Sequence, residues 1–259
     1  MGDEMESMQN ERQPITVEIA GVTASILCGF RENYEFLLPY RTEKAPAFTV
    51  EITQEDIDFS LAHLEKYFGK RSVPYSDVFL ENVSIQNVLS RRLLEFGVLA
   101  LHGSALCMDG EAIIFTAKSG TGKSTHARLW RETFGDRVWM INDDKPMIRI
   151  ENGKAAVYGT PWDGKHHLSR NASAPLKAIV KIERDTENHI EPMNRADAFQ
   201  LLMTHGAVTR RGPMKLSGAV KLRAMALETA LLDAAEFYRL GCNMDPDAAL
   251  VAWKGMGKR

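Results

Sequence analysis

The chain has 259 residues, 44% of them hydrophobic and 25% charged, and its 32 Lys and Arg against 34 Asp and Glu give a formal net charge of -2. That length buries a sizeable core, as one large domain or a main domain with a smaller lobe. The near-balance of charge excludes the basic footprint of a nucleic-acid binder or a coat for an anionic membrane. The opening "MGDEMESMQNERQP" has neither the basic nor the apolar region of a secretory signal, and Glu6 spoils a myristoylation pattern after Gly2. No apolar run approaches the ~20 residues needed to span a bilayer. Cys28, Cys107 and Cys242 lie far apart with no CxxC spacing, which reads as reduced thiols in a cytoplasmic protein.

From Ile15, "ITVEIAGVTASILC" alternates apolar and polar residues as half-buried strands do. "GFRENYEFLL" then supplies Gly29 and Asn33 as turn residues before another apolar run, and "AFTVEIT" reads as a further short strand. Thr53 caps a helix through "QEDIDFSLAHLEKYF", with Ile57, Leu61, Leu64 and Phe68 at helical spacing. A second helix runs through "SIQNVLSRRLLEFGVL", with Ile85, Val88, Leu89 and Leu93 on one face. Residues 1–95 therefore make an α+β lobe without a catalytic constellation, its first dozen residues a frayed tail, ahead of a main domain over 96–259.

"LALHGSALCM" and "EAIIFTA" are apolar runs separated by Asp109-Gly110, the pair a tight type I′ hairpin favours because both positions need positive φ. A two-residue turn pairs Met108 with Glu111, and the register carried back sets His102 opposite Ala117. The loop "AKSGTGKS", Ala117 to Ser124, fits the phosphate-binding pattern G-x-x-x-x-G-K-[ST] except at its first position. Strand, small-residue turn and helix follow in the required order. Ser119, Gly120, Thr121, Gly122, Lys123, Ser124 and Thr125 form the expected cradle for the phosphates of ATP. Lys123 would neutralise the β- and γ-phosphates, and the Ser124 hydroxyl would ligate Mg²⁺.

The run Val138 to Ile141 reads as a strand with Asp143 and Asp144 at its carboxyl end, where α/β sheets place ligand-binding groups. One carboxylate would hold Mg²⁺ while the other accepts a proton from an attacking hydroxyl. Downstream, "YGTPWDGKHHLSRNA" crowds Trp162, Asp163, Lys165, His166, His167 and Arg170 into a loop between strand-like "AAVY" and "LKAIVKI". Lys165 and Arg170 are placed to face anionic oxygens, Asp163 to stand behind a metal, and His166 to meet substrate; a solvated basic loop is the competing account. Adjacent histidines point opposite ways on a strand, which argues against zinc. "NRADAFQLLMTHGAV" and "KLRAMALETALLDAAEFYRL" read as amphipathic helices, with a short helix from Pro246. Arg210-Arg211 is either a substrate contact or a solvated helix end. His126, His189 and His205 face solvent or pack locally.

Taken together, "LHGS", "AKSGTGKS" and "INDD" resemble the core of HPr kinase/phosphorylase and its relatives, including serine kinases acting on peptide natural products, over roughly residues 99–148. Those proteins share a nucleotide fold with ATP-type phosphoenolpyruvate carboxykinase. The resemblance implies an α/β fold with a P-loop nucleotide-binding core, His102 and Lys123 assisting catalysis, Ser124 and Asp143 at the metal, and Asp144 as general base. It also implies an oligomer. The activity so implied is transfer of the ATP γ-phosphoryl group, with Mg²⁺, to a hydroxyl: a Ser of a small protein or peptide, or a small hydroxylated metabolite. A non-catalytic ATP-binding sensor and a carboxykinase-like lyase are the alternatives.

Overall fold

In a computed structural model that describes residues 12–164, 166–206 and 217–257, the chain is mixed α/β and divides into two compact units, one running to Leu89 and one from Ser90. The first unit opens with an antiparallel pair, β1 (Gln13–Ile19) and β2 (Val22–Cys28), joined at Ile19↔Val22 through Ala20 and Gly21, both at positive φ. The alternation seen in the sequence sets the faces: Ile15, Val17 and Ile19 are buried, as are Val22, Ala24, Ile26 and Cys28. The apolar run after Asn33 is a helix rather than a strand, α1 (Arg31–Leu37). Asn33 is buried and donates to the Val78 carbonyl and the Glu81 carboxylate, and Glu81 also accepts from the Gly29 and Phe30 N–H groups. Glu81 thus serves backbone donors that a helix start leaves unpaired, and its place 48 residues beyond Asn33 keeps it out of any local reading. Strand β3 (Phe48–Glu51) joins β2 in parallel, and α2 (Gln54–Phe68) begins at Thr53 with a reciprocal capping box to Asp56. Helix α3 (Asp77–Leu93) starts earlier than the apolar spacing suggested and buries Ile85, Leu89 and Leu93.

Among the described residues the second unit is built on nine strands. The stretch expected as one strand, "LALHGSALCM", breaks into β4 (Val98–Ala100) and β5 (Ser104–Met108), with Leu101, His102 and Gly103 between them. Their backbone N–H groups go to the carbonyls of Pro146, His205 and Asp144 in turn, so this break is held by distant backbone rather than by a strand partner. Strand β6 (Glu111–Thr116) returns from the Asp109-Gly110 turn, whose φ values of 51° and 89° are those of type I′, and pairs Met108 with Glu111. The chain continues through α4 (Lys123–Phe134), β7 (Val138–Asn142), the hairpin β8 (Met147–Glu151) and β9 (Lys154–Tyr158), and the long β10 (Ser173–Arg184). β11 (His189–Pro192), α5 (Arg195–His205), α6 (Gly218–Ala234), β12 (Glu236–Cys242) and α7 (Asp247–Met256) complete it. The segment "EFYRL", expected to extend a helix, is instead β12, parallel to β10. Tertiary pairing overrides local periodicity there, because Phe237, Tyr238 and Leu240 fill both faces of the sheet at strand spacing.

In the main sheet the order is β11-β12-β10-β6-β5-β7, and the first residues of β10 also pair with β9, which in turn pairs with β8. β12, β10 and β6 are parallel, whereas β5 lies antiparallel between β6 and β7. β6 and β7 therefore point the same way, and their carboxyl ends share one edge. One sheet face packs Ile113 and Phe115 with Trp130 of α4 and Ala252 of α7; the other packs Ala112 and Ile114 with Leu201 of α5 and Leu231 of α6. Trp130 is fully buried, and its indole N–H donates to His126 Nε2 at 2.9 Å. His126 is a core residue, and burial lowers its pKa to about 4, so it is neutral at physiological pH.

All three cysteines are buried free thiols, with burial raising Cys28 to about 12, Cys242 to about 11 and Cys107 above its ordinary value. Because the thiolate is the reacting species, a disulfide reagent should label none of them rapidly in the native protein and all of them once urea unfolds it. Rapid native labelling of even one would contradict the packing. Among the described residues no helix is long and apolar enough to cross a membrane.

Candidate functional site

The edge shared by β6 and β7 carries most of the candidate residues. After β6 the chain turns at Ala117 and enters α4 at Lys123, with Gly120 at φ 79° and Gly122 at φ 125°, conformations that residues with a Cβ rarely adopt. Gly122 is the N-cap and has no side chain to occupy the first-turn N–H groups, which leaves them to an incoming anion. Lys123 is buried at 9% exposure and donates to the Ala117 carbonyl at 3.2 Å, so its ammonium is folded back across the loop. Arg184, at the end of β10, braces the loop from outside by donating to the Gly120 carbonyl at 2.6 Å and the Thr121 carbonyl at 3.3 Å. Ser124 is exposed on the first turn, Ser119 is exposed on the loop, and Thr121 and Thr125 are half-buried.

Beside this loop stands a polar cluster. The register argument set His102 opposite Ala117, but the ladder ends at Ser104↔Phe115, and the His102 carbonyl instead accepts from Thr116 Oγ1 at 2.9 Å. The imidazole is still brought to the site. His102 Nδ1 lies 2.9 Å from Asp144 Oδ1, and Lys145 Nζ lies 2.7 Å from Asp144 Oδ2. Burial is the largest influence on His102 and lowers its pKa, with Lys145 and Lys123 adding to the effect against the Asp144 hydrogen bond. The ring is therefore neutral, donating Nδ1–H to Asp144 and leaving Nε2 as an acceptor. Burial alone would push the Asp144 carboxyl up, but the His102 hydrogen bond and Lys145 outweigh it and bring it down to about 2. Asp144 is thus a firmly ionised carboxylate held by two donors.

Asp143 turns the other way. It is buried, its Oδ1 accepts from Ser104 Oγ at 2.8 Å, and Gly164 lies against it so closely that a Cβ there would sit 2.7 Å from Oδ2. The turn presenting both carboxylates is moulded by Asn142, which is fully buried. Its Oδ1 accepts from the Asp144 and Lys145 N–H groups at 2.8 and 2.6 Å, while Nδ2 donates to Thr160 and Trp162 oxygens. Replacing Asn142 by Ala strands several buried polar groups at once and should destabilise the protein by roughly 3 kcal/mol in urea titrations. A loss under roughly 1 kcal/mol would mean that water readily replaces the amide.

The loop between β9 and β10 divides its candidates. Asp163 pairs with His167 Nδ1 at 3.1 Å and accepts from the Ser169 N–H at 3.5 Å, so in this state it staples its own loop. Arg170 lays its guanidinium over Trp139 at 5.5 Å from the ring centroid. His166 is exposed, and Lys165 and Arg210-Arg211 lie outside the described residues. Asn142, Ser104 and Lys145 are the contributors that sequence reasoning passed over. Among the described residues no group of three or more His, Cys, Asp or Glu converges on a metal position. One buried carboxylate and one hydroxyl nonetheless suit Mg²⁺, which keeps several waters and takes its remaining ligands from phosphates.

No family model matches the sequence, and no curated protein matches it. Among solved structures, the Hpr(Ser) kinase/phosphatase from Coxiella burnetii is similar over 38% of this chain and 71% of its own, at 13% identity and a TM-score of 0.27. A likeness that low says nothing about chemistry.

Proposed function

We propose that the second unit is an ATP-dependent kinase that transfers the γ-phosphoryl group to a hydroxyl. The observation that carries this is His102, whose carbonyl is fastened to Thr116 at the root of the loop and whose ring is fastened to Asp144. One residue therefore ties the phosphate-gripping end of β6 to the acidic end of β7. The loop N–H groups and Lys123 hold the phosphates and spread the charge that builds on the transferred group. Mg²⁺, held by Asp143 and Ser124, would supply further neutralisation of that charge. Asp144 takes the proton of the attacking hydroxyl, and His102 and Lys145 fix its orientation. Its low basicity is compatible with phosphoryl transfer, which depends mainly on positioning and electrostatics.

The acceptor we propose is a Ser of a small protein or peptide, or a small hydroxylated metabolite. Incubating the full chain with [γ-³²P]ATP and cell extract split into protein and metabolite fractions tests both the reaction and the acceptor class. Label in one fraction, dependent on the enzyme, is the expected result. Tight ATP binding with no label in any fraction would make the protein a nucleotide sensor and overturn the kinase reading.

A further inference from the structure

The turn that joins α2 to α3 in the first unit carries a surface that the site above does not use. Among the described residues nine large apolar side chains are exposed, and four of them, Tyr67, Phe68, Val73 and Phe79, fall within this turn and its flanks. Phe68 and Val73 are the most exposed of the four, at 72% and 67%. Exposed apolar side chains gathered in one place mark a contact site, whereas scattered ones do not.

The same stretch is cationic. Residues 66–76, "KYFGKRSVPYS", hold Lys66, Lys70 and Arg71 and no carboxylate, although residues 12–89 as a whole have seven Lys and Arg against eleven Asp and Glu. The other four cations of that span each meet a carboxylate: Arg12 with Glu51, Arg31 with Glu35, Arg41 with Glu43 and Lys44 with Glu18. Among the described residues the three cations of the turn pair with none. Lys66 lies over the Tyr67 ring at 5.7 Å and Arg71 over the Tyr75 ring at 5.0 Å, and Tyr75 stacks on Phe79 at 5.3 Å with 17° between the planes. A ring face orders a cation without neutralising it, so the charge stays available to an incoming anion.

We propose that this turn docks a short segment, acidic and apolar in composition, of a partner protein. The proposal stands apart from the kinase reading. Carboxylates of the segment meet the three unmatched cations, and its apolar side chains pack on Phe68 and Val73. Aromatic side chains already stacked lose little freedom on binding, which suits them as anchors. Nucleic acid or an anionic membrane fits less well. Either would extend past the turn onto a surface whose other four cations face eleven carboxylates, and would be repelled there. A short segment needs the three cations alone.

The test is fluorescence anisotropy on the full chain, with a labelled hexapeptide of alternating glutamate and phenylalanine as the probe. Peptides of alternating glutamate and alanine, and of alternating lysine and phenylalanine, are the controls. The probe should bind at least about tenfold more tightly than either control, and more weakly as salt is raised. Lys70→Glu and Phe68→Ser, at exposed positions where the fold tolerates change, should each weaken it at least about fivefold. Arg31→Glu, exposed in the same unit but already matched by Glu35, should leave it within about twofold. A probe that binds no better than the controls, or that binds folded Lys70→Glu and Phe68→Ser as it binds the wild type, overturns the proposal. So does tighter binding of phosphatidylserine vesicles or of a single-stranded oligonucleotide, lost in the same variants. Probe binding that appears only once residues 1–11 are removed would make the chain's own Asp3, Glu4, Glu6 and Glu11 the occupant, and would overturn a partner.

Discussion

Lys123→Met should reduce kcat/KM for ATP by about 10³ or more while leaving the melting temperature nearly unchanged. The ammonium is buried beside the loop and donates to the Ala117 carbonyl, and on the proposed reading it turns to the β- and γ-phosphates when ATP binds. Removing one preorganised donor aimed at developing charge costs about 10²–10³ in kcat. Lost ground-state attraction to the triphosphate adds roughly another factor of ten in KM, or about 1.4 kcal/mol. Met keeps the length and apolar stem of the side chain, so packing survives. Lys123→Arg should fail almost as badly, because the planar guanidinium does not fit a pocket shaped for a compact ammonium. Phosphoryl-transfer rates and ATP calorimetry on both variants check this. Retention of more than roughly a tenth of kcat/KM by Lys123→Met would remove the residue from the transition state.

What the sequence made legible here is local. The alternation from Ile15, the Thr53 capping box, the Asp109-Gly110 turn and the loop into α4 are each specified within a few residues, and each is found where its signal lies. Long-range pairing was not legible. The sequence "EFYRL" continues a helical apolar pattern, and only the slot beside β10 makes it a strand. The break at His102 depends on carbonyls from Pro146, His205 and Asp144, which no local spacing announces. The same limit applies to the candidate site. Asp143 and Asp144 stand out as a pair after a loop that fits the phosphate-binding pattern, yet their different surroundings come from Ser104, 39 residues upstream of Asp143, and from His102. Asn142, which shapes the turn, reads in sequence as an ordinary strand end.

Those different surroundings separate the two carboxylates by experiment. Asp144→Asn keeps the shape of the side chain but removes the anion that receives His102 at 2.9 Å and Lys145 at 2.7 Å. Under the proposed assignment it also removes the acceptor of the hydroxyl proton. A positioned acid–base group contributes about 10²–10⁴ in rate, so kcat should fall within that range while ATP affinity stays within about threefold, under roughly 1 kcal/mol. The amide cannot compensate the Lys145 ammonium, and the partly buried charge left behind should cost stability too, read separately from the melting curve. Asp143→Asn should behave differently. Its carboxylate is held by Ser104 and pressed by Gly164, and its proposed work is to hold Mg²⁺, so activity should be partly recovered by raising the Mg²⁺ concentration. Asp144→Asn should not recover at any Mg²⁺ concentration. If Asp144→Asn keeps full turnover, Asp144 is not the base, and His102 Nε2, unprotonated and free to accept, becomes the next residue to test.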